Sequence, residues 1–176
     1  MGHGRLQLDP ERLVLASPGT AVTLNGIAQG YVTDRVVDLL RAEGITNSLV
    51  SIDEIRAIGP TPSGAPWSVG LEDPRAPGRV LDHIGLVDRA VGTSGGYGTQ
   101  FDPAGRFNHI FNPADGTTSW RYLSVSVVAP DAMTADALST AFSLMPLGRT
   151  EPVVAALGLQ VYFMRPDGSR VIQGQG

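Results

Sequence analysis

The 176-residue chain contains no cysteine and no lysine. Without cysteine there is no thiol nucleophile, disulfide, iron–sulfur cluster or thiolate-bound zinc, and the redox compartment is left undetermined. All 13 basic residues are arginine, which excludes a Schiff-base lysine, a P-loop lysine and a lysine general base. No apolar run approaches the ~20 residues that a membrane-spanning helix needs. The first residues, MGHGRLQLDPERL, lack the basic-then-apolar layout of a signal peptide. Charge is also sparse. Charged residues make up 17%, the formal net charge is −4 and the isoelectric point is near 5.2. With the arginines scattered along the chain, no field would gather a polyanion, and nucleic acid is not an expected partner.

What is present suits one domain over residues 1–176. A hydrophobic content of 42% and a mean hydropathy of +0.04 are enough for a single core. The 22 glycines and 13 prolines favour short strands and turns over a helical bundle. The expected class is therefore α+β: a mixed, largely antiparallel sheet, or sheets, with two main packed helices. The first helix is read over Gly30 to Glu43, where Val32, Val36, Val37 and Leu40 recur at helical spacing and Gly44 can take a left-handed stop. Strands are read over 47–52, 55–59, 67–72, 79–84, 90–93, 106–111 and 122–128, the last with Ser124 and Ser126 facing outward. A second helix runs from Asp131 to Met145 behind an aspartate cap. A shorter helix near Glu151 to Leu157 and a hairpin through Arg165-Pro166-Asp167-Gly168 complete the chain.

Four segments carry candidate chemistry. Asn25-Gly26-Ile27-Ala28-Gln29-Gly30 opens directly into the first helix; its small residues and free helix-terminal amides suit a phosphate, or they serve only a tight turn. Gly92-Thr93-Ser94-Gly95-Gly96-Tyr97-Gly98 can form an anion-binding nest of backbone amides or a plain hairpin. His109, at the head of an Asn-Pro-Ala-Asp-Gly turn, is the one histidine with a site-like context: either a proton acceptor or a structural strand end. Asp136 and Thr140 stand one helical turn apart on one face. They offer oxygen ligands to Mg²⁺ or another hard divalent cation; alternatively Asp136 faces water and Thr140 back-bonds to a carbonyl.

In order, LNGIAQGYVTDRVVDLLRAEGI, IRAIG with PWSVGLEDP, AVGTSGGYGTQF, NHIFNPADG and SVSVVAPDAMTADALSTAFSLM resemble the ApbE family of FAD:protein FMN transferases. The resemblance covers about Leu24 to Met145 and looks like the C-terminal portion of the family fold, with its N-terminal half absent. It implies splitting of FAD at its pyrophosphate, transfer of FMN to a Thr or Ser hydroxyl of a flavoprotein target, release of AMP, and a divalent cation. By the same resemblance, Asp136, Thr140 and a backbone carbonyl within Gly26 to Ala28 are metal ligands. His109 lies at the flavin phosphate as a candidate base, with Ile110 in the same motif. Thr93, Ser94 and Gly95 lie beside the flavin, and Gln29 occupies a flavin-nucleotide contact.

The chain departs from the family pattern at Thr23, Gln29, Asn112 and Asp115, and in lacking a Gly-Gly pair before Asp53-Glu54. Two other readings accordingly stand beside the transferase: a non-catalytic flavin- or nucleotide-binding module, and a structural subunit. Self-association, or pairing with a separate N-terminal half, is expected of a fragment. Members of the family are commonly exported and membrane-anchored in bacteria, whereas this sequence leaves its compartment open. Asp136 is expected to be exposed enough that its removal spares the fold.

Overall fold

The computed structural model describes residues 6–19, 21–99, 101–102 and 107–174. Two short strands, β1 (Leu6–Leu8) and β2 (Leu13–Leu15), pair as an antiparallel ribbon that the sequence pattern does not announce. Helix α1 (Ala28–Ala42) follows, then β3 (Ser48–Ser51) and β4 (Ile55–Ile58), the hairpin β5 (Trp67–Glu72) and β6 (Val80–Leu86), and β7 (Ala90–Ser94). Further along the chain come β8 (Ser124–Ala129), α2 (Ala132–Phe142), α3 (Leu147–Leu157), β9 (Gln160–Met164) and β10 (Arg170–Gln173). Six strands form one sheet in the order β10-β9-β8-β7-β4-β3, with every pairing antiparallel. This is the expected α+β class. Among the described residues no helix is long and apolar enough to cross a membrane.

Strand alternation sorts the sheet into two faces. Val125, Val127 and Ala129 of β8, with Val161 and Phe163 of β9, pack under α2 and α3 in the main core with Phe142 and Val154. Each large side chain fully buried there contributes about 1.5–3 kcal/mol. Val91 and Val128 point the other way, against Val69, Ile84 and Leu86 of the β5–β6 hairpin. A third cluster, Val37 with Val50 and Ile58, seats α1 on β3 and β4.

This second layer corrects one expectation. Ser124 and Ser126 do not face solvent; they are only 8% and 5% exposed, because the hairpin covers the face that alternation assigned to water. The strand expected over 106–111 also differs. Residue 106 lies outside the described residues, and from Phe107 onward isolated bridge residues, Asn108 and the pair Phe111 and Thr118, stand in place of a continuous strand. Here the Asn108 side chain accepts from the Ile110 amide at 2.9 Å, a local bond that competes with a ladder. Two helix bounds shift as well. Helix α2 ends at Phe142, and α3 begins at Leu147, a turn earlier than expected, with Pro152 inside it. Gly44 takes the expected left-handed conformation, φ 81°.

Candidate functional site

Asp136, Thr140, Ser94 and the Gly26 loop gather where the start of α1 meets α2 and α2 meets the end of β7, while His109 lies on the segment beside the glycine turn. Helix α1 begins without a side-chain cap of its own. Its Gly30 amide donates instead to Asp136 Oδ2 of α2 at 2.9 Å, satisfying one of the four orphan donors of a helix start. The helices touch at Gly30, where a Cβ would lie 2.4 Å from the Ala132 carbonyl oxygen. Only glycine lets the backbones come that close. Helix α2 carries Asp131 as its own cap, accepting from the Thr134 amide at 2.7 Å.

From α2, Thr140 reaches the end of β7. Ser94 Oγ lies 3.0 Å from Thr140 Oγ1 and 2.7 Å from Ser139 Oγ, and Ser139 donates to the Asp136 carbonyl at 2.9 Å. A Cβ on Gly26 would lie 3.6 Å from Thr140 Cγ2, so the loop before α1 rests on that threonine. The sequence places Asp136, Thr140, Ser94 and Gly26 in four separate contexts; folding gathers them at one corner. Thr93, the next residue along β7, points to the opposite face, where its hydroxyl lies 2.8 Å from Ser126 Oγ.

Beyond Ser94 the chain enters the glycine turn. A Cβ on Gly95 would lie 2.2 Å from the Tyr97 ring, and one on Gly96 would lie 2.5 Å from Asn108 Nδ2. Close packing therefore requires both glycines. Asn108, fully buried, also donates to the Ser119 carbonyl at 3.3 Å, so it braces both this turn and the segment that carries His109. His109 is exposed beside the turn, with Nδ1 3.3 Å from the Thr99 carbonyl. Its Cε1 would be 3.8 Å from a Cβ on Gly98. Ile110 is buried beneath it.

Two features differ from the unaided reading of the sequence. Asp136 is buried, 4% exposed, so the expectation of an exposed carboxylate is corrected: the α1–α2 crossing covers it. Burial pushes its carboxyl above the usual range, the Gly30 amide opposes that, and the charge of Asp53 adds to it. The second feature is Glu54, which sequence reasoning passed over as part of an altered motif. It is buried against Gly92, where a Cβ would lie 2.8 Å from Glu54 Oε2 and from the Asp136 amide nitrogen. Burial first, then the charge of Asp136, pushes the Glu54 carboxyl up to about 8, against the Thr93 amide that donates to it. The pattern Glu54, Arg56, Ile58 on one face of a strand was the available signal. Gln29 donates its side-chain amide to Asp53 Oδ2 at 2.8 Å, at the exposed rim.

Chemically, this corner is rich in oxygen and short of cations. Among the described residues no three His, Cys, Asp or Glu side chains are grouped to hold a metal ion. A cation held here would therefore take one carboxylate together with hydroxyl and carbonyl oxygens. Asp136 suits that set: Oδ2 is committed to Gly30, which leaves Oδ1 for a ligand. Crowded carboxylates whose ionisation burial opposes are what a hard divalent cation relieves.

The fold and this corner define an α+β domain in which two crossing helix N-termini and a glycine turn enclose a buried carboxylate. The chain belongs to the ApbE family, whose model matches residues 1–163. The FAD:protein FMN transferase of Vibrio cholerae is 35% identical over 164 residues, which cover 91% of this chain and 48% of that protein. The FAD:protein FMN transferase of Haemophilus influenzae is 34% identical over 173 residues, 93% of this chain and 50% of that protein. The chain thus spans about half the length of the curated relatives it matches. Among solved structures, the ApbE protein of Thermotoga maritima superposes with a TM-score of 0.87 at 30% identity, covering 98% of this chain and 58% of that one. The flavin transferase ApbE of Vibrio cholerae superposes with a TM-score of 0.82 at 32% identity, covering 98% and 57%.

Proposed function

We propose that this chain carries the pyrophosphate-handling part of an FAD:protein FMN transferase, which moves the FMN moiety of FAD onto a Thr or Ser hydroxyl of a flavoprotein target and releases AMP. The observation that carries this reading is the convergence of the Gly26 loop, Asp136, Thr140 and Ser94 at one corner, in a chain whose relatives bear that name.

In the reaction, the acceptor oxygen attacks the FMN phosphorus, the bond from that phosphorus to the bridging oxygen breaks, and AMP leaves with the bond's electron pair. Asp136 Oδ1, Thr140 Oγ1 and a carbonyl within Gly26 to Ala28 would hold Mg²⁺ or another hard divalent cation. When bound, the cation supplies charge neutralisation at the pyrophosphate. Gln29, at the rim with Asp53, lies where a nucleotide contact is proposed. Ser94 fixes the Thr140 hydroxyl, and Gly95 would bring the backbone close beside the flavin, whereas Thr93 is turned to the opposite face against Ser126 and Ile110 is buried in the segment that carries His109. His109, exposed beside the turn, accepts the proton that the acceptor hydroxyl loses. Neither lysine nor an enzyme-bound nucleophile is needed.

The proposal extends to association, with a second copy or a separate N-terminal polypeptide, over the exposed apolar side chains of Val22, Leu24, Tyr31 and Val32. Incubating the chain with FAD, Mg²⁺ and a peptide bearing an acceptor threonine tests the transfer. Flavin fluorescence and the FMN mass increment on the peptide are the expected result. FAD binding without transfer would favour the non-catalytic binding module, and neither binding nor transfer would favour the structural subunit.

A further inference from the structure

The two helices that meet at the site cap one another. In α1, Gly30 presents its amide and Asp34, one turn further on, presents a carboxylate. In α2, Ala132 presents its amide and Asp136, one turn further on, presents a carboxylate. The Gly30 amide donates to Asp136 Oδ2 at 2.9 Å, while the Ala132 amide donates to Asp34 Oδ1 at 2.9 Å and the Met133 amide to Asp34 Oδ2 at 3.0 Å. Each helix start is thus closed by an aspartate of the other helix. Arg56 of β4 pairs with Asp34 Oδ1 in a contact nearly closed to solvent, with side chains 11% and 9% exposed.

This arrangement has a geometric consequence. At Gly30 no side chain stands between the helices, since a Cβ there would overlap Ala132 and Met133. Ridges and grooves therefore do not set the register at the crossing; the exchanged hydrogen bonds do. A slide of one residue along either axis is about 1.5 Å, enough to break both sets. The local cap Asp131 cannot do this, because it holds only Thr134 of its own helix.

We propose that Asp34, held by Arg56, is a positioning residue for the Asp136 site: by holding the first amides of α2 it sets the register of α2 on α1, which keeps Asp136 Oδ2 on Gly30 and Oδ1 turned to the ligand. Its consequence for cation affinity rests on the function proposed above. Asp34 touches neither cation nor substrate. An outer carboxylate of this kind changes metal affinity by about 10–100-fold when lost.

The test compares Asp34→Asn, which can accept from only one of the two amides, with Asp131→Ala, which removes the cap of the same helix without loosening it from α1. Hydrogen exchange and the ¹H–¹⁵N shift of the Gly30 amide are read in the full chain, together with the affinity for Mn²⁺ in the presence of FAD. In Asp34→Asn, Gly30 exchange is expected to quicken and Mn²⁺ affinity to fall, each by about tenfold or more. In Asp131→Ala both are expected to stay within about twofold of the parent. A folded Asp34→Asn chain with an unmoved Gly30 amide, or with parental Mn²⁺ affinity, overturns the proposal, and so does an equal response in Asp131→Ala. If Asp34→Asn does not fold, Arg56→Gln carries the same test: a Gly30 response larger than that of Asp131→Ala supports the proposal, and none overturns it. A parent chain that binds no Mn²⁺ counts against the metal in the proposed function, whereas the Gly30 amide still decides the role of Asp34.

Discussion

Ser94 Oγ lies 3.0 Å from Thr140 Oγ1, joining the last residue of β7 to the turn of α2 that also carries the buried Asp136. The Thr140 hydroxyl is therefore oriented from outside its own helix. Thr140→Val, which keeps the shape but loses the oxygen, is expected to weaken Mg²⁺-dependent FAD binding, and Ser94→Ala to weaken it less. A double-mutant cycle on FAD affinity should show coupling of about 0.5–3 kcal/mol between the two. Additive effects would mean that Ser94 does not act through Thr140.

Asp136 has both a structural and a chemical part, and two substitutions separate them. Asp136→Asn keeps an oxygen for the Gly30 amide and removes a charge that burial opposes, so stability at pH 7 should be unchanged or higher. Asp136→Ala leaves that buried amide without its partner, at a cost of about 1–3 kcal/mol. Both should abolish the Mg²⁺ dependence of FAD binding. Urea denaturation and FAD titration with and without Mg²⁺ measure the two parts.

The acidic corner sets the sign of a pH effect. Glu54 is pushed from 4.5 up to about 8, so between those values the folded chain holds a proton that the unfolded chain has released. Stability should therefore fall as pH rises through that window, and the raised carboxyl of Asp136 acts in the same direction. Glu54→Gln should flatten the profile and stabilise the chain more at pH 8 than at pH 5. Melting temperatures across pH 5 to 9 would show this, and a parent profile that rises over the window would contradict it.

Gly30→Ala sets propensity against packing. In an isolated helix the change would favour helix by about 1 kcal/mol. Here the new Cβ would meet Ala132 O at 2.4 Å and Met133 Cα at 2.6 Å, backbone atoms that cannot rotate away. A net loss of about 1–3 kcal/mol or more is expected in a chemical melt.

His109 is exposed, and among the described residues its side chain is held at the Thr99 carbonyl. His109→Ala should change stability by less than about 0.5 kcal/mol. If it is the base, FMN transfer should fall strongly while FAD binding stays near normal, since a base acts mainly in the transition state. Joint loss of binding and transfer would make it a ligand contact instead.

The sequence by itself determined what depends on near neighbours. The 3.6-residue period of Val32 to Leu40 makes α1, the glycine after it stops the helix, Asp131 starts α2, and period-two alternation marks β5 and β8. Motif order alone placed the chain in its family, because the spacing of small, acidic and hydroxyl residues along α1, β7 and α2 survives in one dimension. Only the tertiary structure decided which of these residues meet. That Ser126 is buried follows from a hairpin packed on the far face of β8, and alternation cannot distinguish a wet face from a covered one. That Asp136 is buried and that Asp34 closes the start of α2 depend on two helices crossing at a glycine, and that Glu54 lies against Gly92 depends on the pairing of β4 with β7. The helix contacts join residues about a hundred positions apart, as the 106 separating Gly30 from Asp136 show. Local periodicity carries no information about them, because what selects them is the fit of one backbone against another.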